Sequence, residues 1–188
     1  MSASDVVRWI VGTCEELAIP CMVVGSFASS AHGVPRTTMD LDVVIDPSGA
    51  ALERLLAACD PERFYVDADV ARDALRRRSM FNVIDLHTGW KVDLIVRKAS
   101  AHAVAELARR TTGTVAGVAA PMATAEDVII AKLEWARASG SARQLADVAG
   151  IVRARGAALD HAYLARWIAD LELAAPWAEA QALAADPR

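Results

Sequence analysis

The stretch Asp40-Leu41-Asp42-Val43-Val44-Ile45 constrains this chain more than any other. Its apolar residues mark a buried strand, and two acids stand inside it. Successive side chains of a strand point to opposite faces. Asp40 and Asp42 therefore lie side by side on one face, while Leu41 and Val43 turn to the other. Like charges at that spacing repel, and burial makes each carboxylate more costly. A positive group is expected between them.

With 188 residues, the chain can form one domain with a sizeable core, or a core domain plus a helical extension. Apolar residues make up 54 % and charged residues 23 %, the composition of a soluble globular protein and not of a disordered one. A formal net charge of −4 gives no overall field favouring a polyanion, so any basic patch must be local. Cys14, Cys21 and Cys59 are odd in number and lack metal-ligand spacing, which fits buried reduced thiols and a cytoplasmic location. The N-terminal residues 1–16 carry charge every few positions and read as an amphipathic helix capped by Ser2 or Ser4, not as a signal peptide. No apolar run approaches membrane-spanning length, so no membrane partner is expected.

The order of elements follows from period and punctuation. Residues 20–25 read as a short buried strand, 26–33 as a short helix ending at Gly33, and 37–46 as a second strand stopped by Pro47. Helices follow at 48–60 and 68–78, the latter opened by Asp67 or Asp69, with a short strand at 64–67 between them. Residues 79–86 and 90–96 form a hairpin pair with Thr88 and Gly89 at the tip of a two-residue turn. A helix at 100–111 and a single strand at 113–120 come next. From Thr124 onward the pattern is helical throughout, and Thr124 with Asp127 resembles a capping box. The expected organisation is an α/β block, residues 1–122, followed by a helical block, residues 123–188, packed on it.

The chemistry lies in the spacing. Gly25-Ser26 closes the first strand, thirteen residues intervene, and Asp40-Leu41-Asp42-Val43 follows; a third acid, Asp93, stands inside the later apolar strand Trp90-Lys91-Val92-Asp93-Leu94-Ile95-Val96. This constellation resembles the signature of the DNA polymerase β-like nucleotidyltransferase superfamily. The resemblance implies an α/β (α+β) nucleotidyltransferase fold, a small mixed sheet flanked by helices with a C-terminal helical bundle. It also implies a Mg²⁺-dependent enzyme moving a nucleoside monophosphate from an NTP such as ATP to an acceptor hydroxyl. Such chemistry rests on positioning and charge stabilisation. Three carboxylates on neighbouring strands can hold two Mg²⁺ ions, or Mn²⁺ as an alternative, about 3.5–4 Å apart. Asp40 and Asp42 would ligate both ions, and Asp93 would complete the site and help the acceptor hydroxyl lose its proton. Gly25 lets backbone approach the phosphates. Ser26 opens a helix whose free N–H groups favour anions.

Asp85 competes with Asp93 for the third role. The two-residue turn pairs Leu86 with Lys91, Asp85 with Val92 and Ile84 with Asp93, which puts Asp93 on one face with Lys91 and Asn82 and turns Asp85 away. A one-residue slip would reverse this choice. Register and the family pattern together favour Asp93. Arg36, four residues before Asp40, could grip triphosphate oxygens. The Pro-Arg-x-Thr loop and the later Ala-Thr-Ala-Glu-Asp stretch resemble those of abortive-infection and minimal nucleotidyltransferases, small bacterial proteins. This implies a toxin–antitoxin or phage-defence setting, with tRNA or protein as acceptor and a toxin or antitoxin partner. Lys132, on the helix after that stretch, would contact phosphate or base.

Each residue also has a plainer reading. The acids would be strand-end residues in turns or salt bridges, Gly25-Ser26 an ordinary strand-to-helix turn, and Arg36 a salt-bridge partner. Lys91 would be a solvated strand residue, although its face keeps it a candidate nucleotide contact. Lys132 would pair with Glu134 or Glu126. Arg76-Arg77-Arg78 is a solvated helix end or a basic patch for RNA. His32, His87, His102 and His161 are scattered, and Trp9, Trp135, Trp167 and Trp177 fit core or interface positions. Two alternatives to the nucleotidyl-transfer reading stand beside it. One is a non-catalytic, antitoxin-like nucleotide binder on the same fold; the other is an aminoglycoside-type small-molecule nucleotidyltransferase.

Overall fold

The computed structural model describes residues 2–33, 35 and 37–186. Two compact units divide it: Met1–Phe27 with Thr37–Ala123, and Ala28–Arg36 with Thr124–Arg188. The first unit is built on a seven-stranded mixed sheet in the order β3-β4-β5-β2-β1-β7-β6. Its strands are β1 (Cys21–Val23), β2 (Asp40–Ile45), β3 (Phe64–Tyr65), β4 (Met80–Asp85), β5 (Lys91–Val96), β6 (Thr111–Val115) and β7 (Val118–Met122). Helices α1 (Ala3–Glu16), α3 (Gly49–Ala57), α4 (Ala68–Arg77) and α5 (Ala101–Arg109) belong to the same unit, and α2 (Gly25–His32) starts in it.

Sequence accounts for most of these boundaries. Ser2 caps α1 in a reciprocal box with Asp5, whose carboxylate accepts the Ser2 backbone N–H at 2.8 Å. Ser48, Asp67 and Ser100 cap α3, α4 and α5 in the same side-chain-to-backbone manner. One face of the central strands is fully apolar: Leu41, Val43, Ile45, Val92, Leu94 and Val96 are all buried. Removing that surface from water is the main force holding the sheet against its helices. Cys14, Cys21 and Cys59 are free and buried, as their spacing suggested.

Two hairpins differ from the expectation. Residues 113–120 are not one strand: Ala116 and Gly117 both adopt left-handed φ values, 48° and 79°, and turn the chain between β6 and β7. Two consecutive left-handed residues make a type I′ turn, here without the Asn-Gly or Asp-Gly pair that usually announces it. The β4–β5 connection is also longer than two residues. Ile84, and not Leu86, lies opposite Lys91, and Asn82 lies opposite Asp93. The cause is Asp85: its carboxylate accepts the His87 and Thr88 N–H groups, each at 3.0 Å, and its carbonyl accepts the Gly89 N–H at 2.8 Å. That side-chain-stabilised turn makes a wider loop more favourable than a tight one. The shift is by two residues, so no side chain changes face.

The second unit is helical after Thr124, with α6 (Ala125–Ser139), α7 (Ala142–Arg155), a 3₁₀ turn (Gly156–Ala158), α8 (His161–Asp170) and α9 (Ala174–Ala185). The Thr124 hydroxyl accepts the Asp127 N–H, but the Asp127 carboxylate takes hydrogens from the Thr124 and Tyr163 hydroxyls, each at 2.6 Å, in place of the backbone bond of a full box. Ile129, Ile130, Leu133, Ile151 and Leu164 form its apolar centre. The tryptophans divide between environments. Trp9 stacks on Phe64 with centroids 4.1 Å apart and Trp167 is buried against Tyr163, whereas Trp135 is 65 % exposed.

Candidate active site

The candidate site belongs wholly to the first unit, where β1 ends and β2 and β5 begin. Strands β2 and β5 run parallel in a register that sets Asp42 beside Asp93 and Asp40 beside Lys91. Neighbours in register share a face, so all four side chains occupy the polar face of the sheet, with Asn82 of β4 next to Asp93. Asp93 is buried, Asp42 half-buried and Asp40 exposed, so the row of acids descends from solvent into the sheet. Asp85 points away: it is buried and held by the loop amides and by Arg63 at 3.5 Å.

Gly25 stands directly against Asp42. Its φ is +61°, and a Cβ built on it would lie 1.9 Å from Asp42 Oδ2. The glycine is therefore required by the carboxylate of the chain's own acid, a closer constraint than the approach of phosphate inferred from sequence. Ser26 follows in the first turn of α2, with its backbone N–H turned toward the Asp42 carboxyl. Even so, the Asp42 carboxyl is held above its ordinary 3.8, first by burial and then by the charges of Asp93 and Asp40.

Lys91 answers the question of what sits among the acids in this structure. Its Nζ lies 3.0 Å from Asp93 Oδ2 and 3.6 Å from Asp40 Oδ1. Its own pKa is raised, chiefly by the hydrogen bond to Asp93. Asn82 Nδ2 donates to the other Asp93 oxygen, Oδ1. Sequence parity placed Asn82 on this face without giving it a role. Phe27 of α2 and Trp90, the residue before β5, form a tilted pair with centroids 6.3 Å apart.

As they stand, no three His, Cys, Asp or Glu side chains among the described residues are spaced to hold a metal ion. The donor set nonetheless suits a hard divalent cation, because every ligand offered is a carboxylate oxygen. Three carboxylates meet one ammonium, and Asp42 is the acid left under-compensated.

Of the remaining expected site residues, Arg36 lies outside the described residues. Lys132 lies in the second unit, buried, with its Nζ 2.6 Å from Asp147 and 3.1 Å from Gln144. Asp147 is thus an ion-pair partner of Lys132, one that spacing in sequence did not point to. The triple arginine is also engaged: Arg76 and Arg77 both pair with Asp73, and Arg78 donates to the Arg97 carbonyl. His32 faces Arg155 at 3.3 Å, and His161 faces the Gly156 carbonyl at 3.1 Å.

A mixed sheet carrying two acids on β2 and a third in register on β5, with a Gly-Ser turn against them, defines a class: the chain has the nucleotidyltransferase fold, as the resemblance implied. Solved structures agree. The chain is similar to ANT(2'')-Ia, solved in complex with adenylyl-2''-tobramycin, with a TM-score of 0.57 and 15 % identity over 89 % of this chain and 98 % of that one. An antigenic nucleotidyltransferase-like protein from Paracoccidioides brasiliensis gives 0.55 and 18 %, over 80 % of this chain and 75 % of that one. The lincosamide antibiotic adenylyltransferase LnuA, lincomycin-bound, gives 0.51 and 8 %, over 78 % and 94 % respectively. No family model and no curated protein matches the chain.

Proposed function

We propose that this protein is a divalent-metal-dependent nucleotidyltransferase that moves a nucleoside monophosphate from an NTP to an acceptor hydroxyl and releases pyrophosphate. The observation that carries this reading is the register of Asp42 against Asp93, with Asp40 one step outward and Gly25 pressed against Asp42. In the reaction the acceptor oxygen forms a bond to the α-phosphorus, and the bond from that phosphorus to the oxygen bridging toward the β-phosphate breaks. Bound Mg²⁺ would supply charge neutralisation of the triphosphate and of the attacking oxygen. Asp40 and Asp42 are the residues to hold it. Asp93, fixed on one oxygen by Asn82, would complete the metal's ligands with the other and so help the acceptor hydroxyl lose its proton. Ser26, in the first turn of α2, would present its hydroxyl to the triphosphate, and Lys91 would add positive charge there. Lys132 has a structural partner and is given no part.

A small-molecule acceptor is the second reading, favoured by the likeness to ANT(2'')-Ia, 98 % of which the match covers and which was solved with adenylyl-2''-tobramycin.

The test is label transfer. Each α-labelled NTP is incubated with Mg²⁺ and the protein, against cell extract, total RNA, and a panel of aminoglycosides and lincosamides. Label should move to one of these acceptors, and Asp42→Asn should abolish transfer while circular dichroism stays unchanged. Equal labelling by both proteins would refute the site. Nucleotide binding with no transfer to any acceptor would favour the non-catalytic binder.

A further inference from the structure

Lys91 and a divalent cation compete for the same atoms. The ammonium occupies Asp93 Oδ2 and Asp40 Oδ1, at 3.0 and 3.6 Å. Asp93 Oδ1 is already taken by the Asn82 amide. Of the Asp93 oxygens, the one that Lys91 holds is therefore the one facing the other acids and open to a metal, and an ammonium and a dication drawn to it repel each other. The lysine is also free to leave. Its side chain is 35 % exposed and sits at the first residue of β5, so its four-carbon stem can carry the charge outward.

We propose that Lys91 is the resident counterion of the metal-free site, displaced from Asp93 and Asp40 when a divalent ion loads and transferred to the triphosphate of the incoming nucleotide. This rests on the metal-dependent reading above and goes beyond it. The lysine makes the bare acids tolerable, and by the same contact it keeps divalent ions weakly bound until an NTP offers the ammonium other anionic oxygens. Metal and nucleotide then bind cooperatively, each raising the other's affinity by the same factor.

The experiment is calorimetric titration of Mn²⁺ into the full chain, alone and with a non-hydrolysable ATP analogue, for the wild type, Lys91→Met and Lys91→Arg, with Asp42→Asn as a control. Lys91→Met should bind Mn²⁺ alone about ten-fold more tightly or better, since a like charge leaves the site. Its affinity for Mn²⁺ should gain less from the analogue than the wild type's does. Lys91→Arg keeps the charge and should behave as the wild type. A merely structural lysine would not tighten metal binding when removed. Equal Mn²⁺ affinity in the wild type and Lys91→Met, with the Asp42→Asn control silent, would overturn the proposal and leave the metal-dependent reading standing. No Mn²⁺ binding by any variant, with or without the analogue, would overturn both. If Lys91→Met does not fold, Lys91→Gln serves in its place.

Discussion

Asp42 and Gly25 form the tightest pair in the candidate site, and neither can change alone. An alanine at position 25 would bring its Cβ within 1.9 Å of Asp42 Oδ2 at a φ of +61°. The backbone conformation alone costs an L-residue about 1–2 kcal/mol, and the carboxylate must move off its mark. We expect Gly25→Ala to lower the urea midpoint modestly and to reduce turnover by about 100-fold, the usual cost of a misplacement near 1 Å. Asp42 itself is costly to the fold. Because its carboxyl is raised above the ordinary 3.8 by burial and then by Asp93 and Asp40, its protonated form favours the native state. That favourable contribution is present at low pH and is lost as pH rises through the folded value, leaving a penalty at neutral pH. Metal-free Asp42→Asn should therefore melt above the wild type at pH 7, with the gap closing below about pH 4. Melting curves in chelator across pH read this directly, and a lower melting temperature for the variant at pH 7 would contradict it.

At the scale of elements, the β4–β5 loop shows how one side chain can override a turn preference. Thr88-Gly89 suggested a two-residue hairpin, but Asp85 draws the loop's N–H groups to itself and moves the pairing by two residues. Burial pushes the Asp85 carboxyl up, yet hydrogen bonds from Thr88, His87 and Arg63 outweigh it and leave the pKa lowered. Its contribution is thus complete above the unfolded value of about 3.9 and is lost as pH falls through the lower folded one. Asp85→Ala should cost about 2 kcal/mol at pH 7, and the deficit relative to the wild type should shrink in acid. Chemical denaturation at two pH values measures it. The even shift explains why Asp93 could be chosen over Asp85 from a register that was itself displaced: face depends on parity alone. The β6–β7 turn was missed for a different reason. Ala116-Gly117 lacks the usual turn pair, and the left-handed φ of Ala116 is imposed by strand pairing rather than by its own preference.

For the whole molecule, a nucleotide that binds only the native state must raise its stability by mass action. Saturating NTP with Mg²⁺, at about 100 times the dissociation constant, should stabilise the wild type by about 2.7 kcal/mol. For a chain of this length that is a rise in melting temperature on the order of 5–10 °C. The shift should vanish in Asp42→Asn, and a thermal-shift series over the four NTPs would rank base preference at the same time. By itself the sequence determined which strands carry acids, that Asp40 and Asp42 share one face, and that a Gly-Ser pair closes the strand before them. These follow from local spacing and the two-residue period of a strand, which no distant contact can alter. Only the tertiary structure decided that Asp42 and Asp93 meet in register across parallel strands, that Lys91 stands between Asp93 and Asp40, and that Lys132 belongs to Asp147. Those pairings join residues distant along the chain, and which cation reaches which carboxylate is fixed by strand order and packing rather than by spacing in sequence.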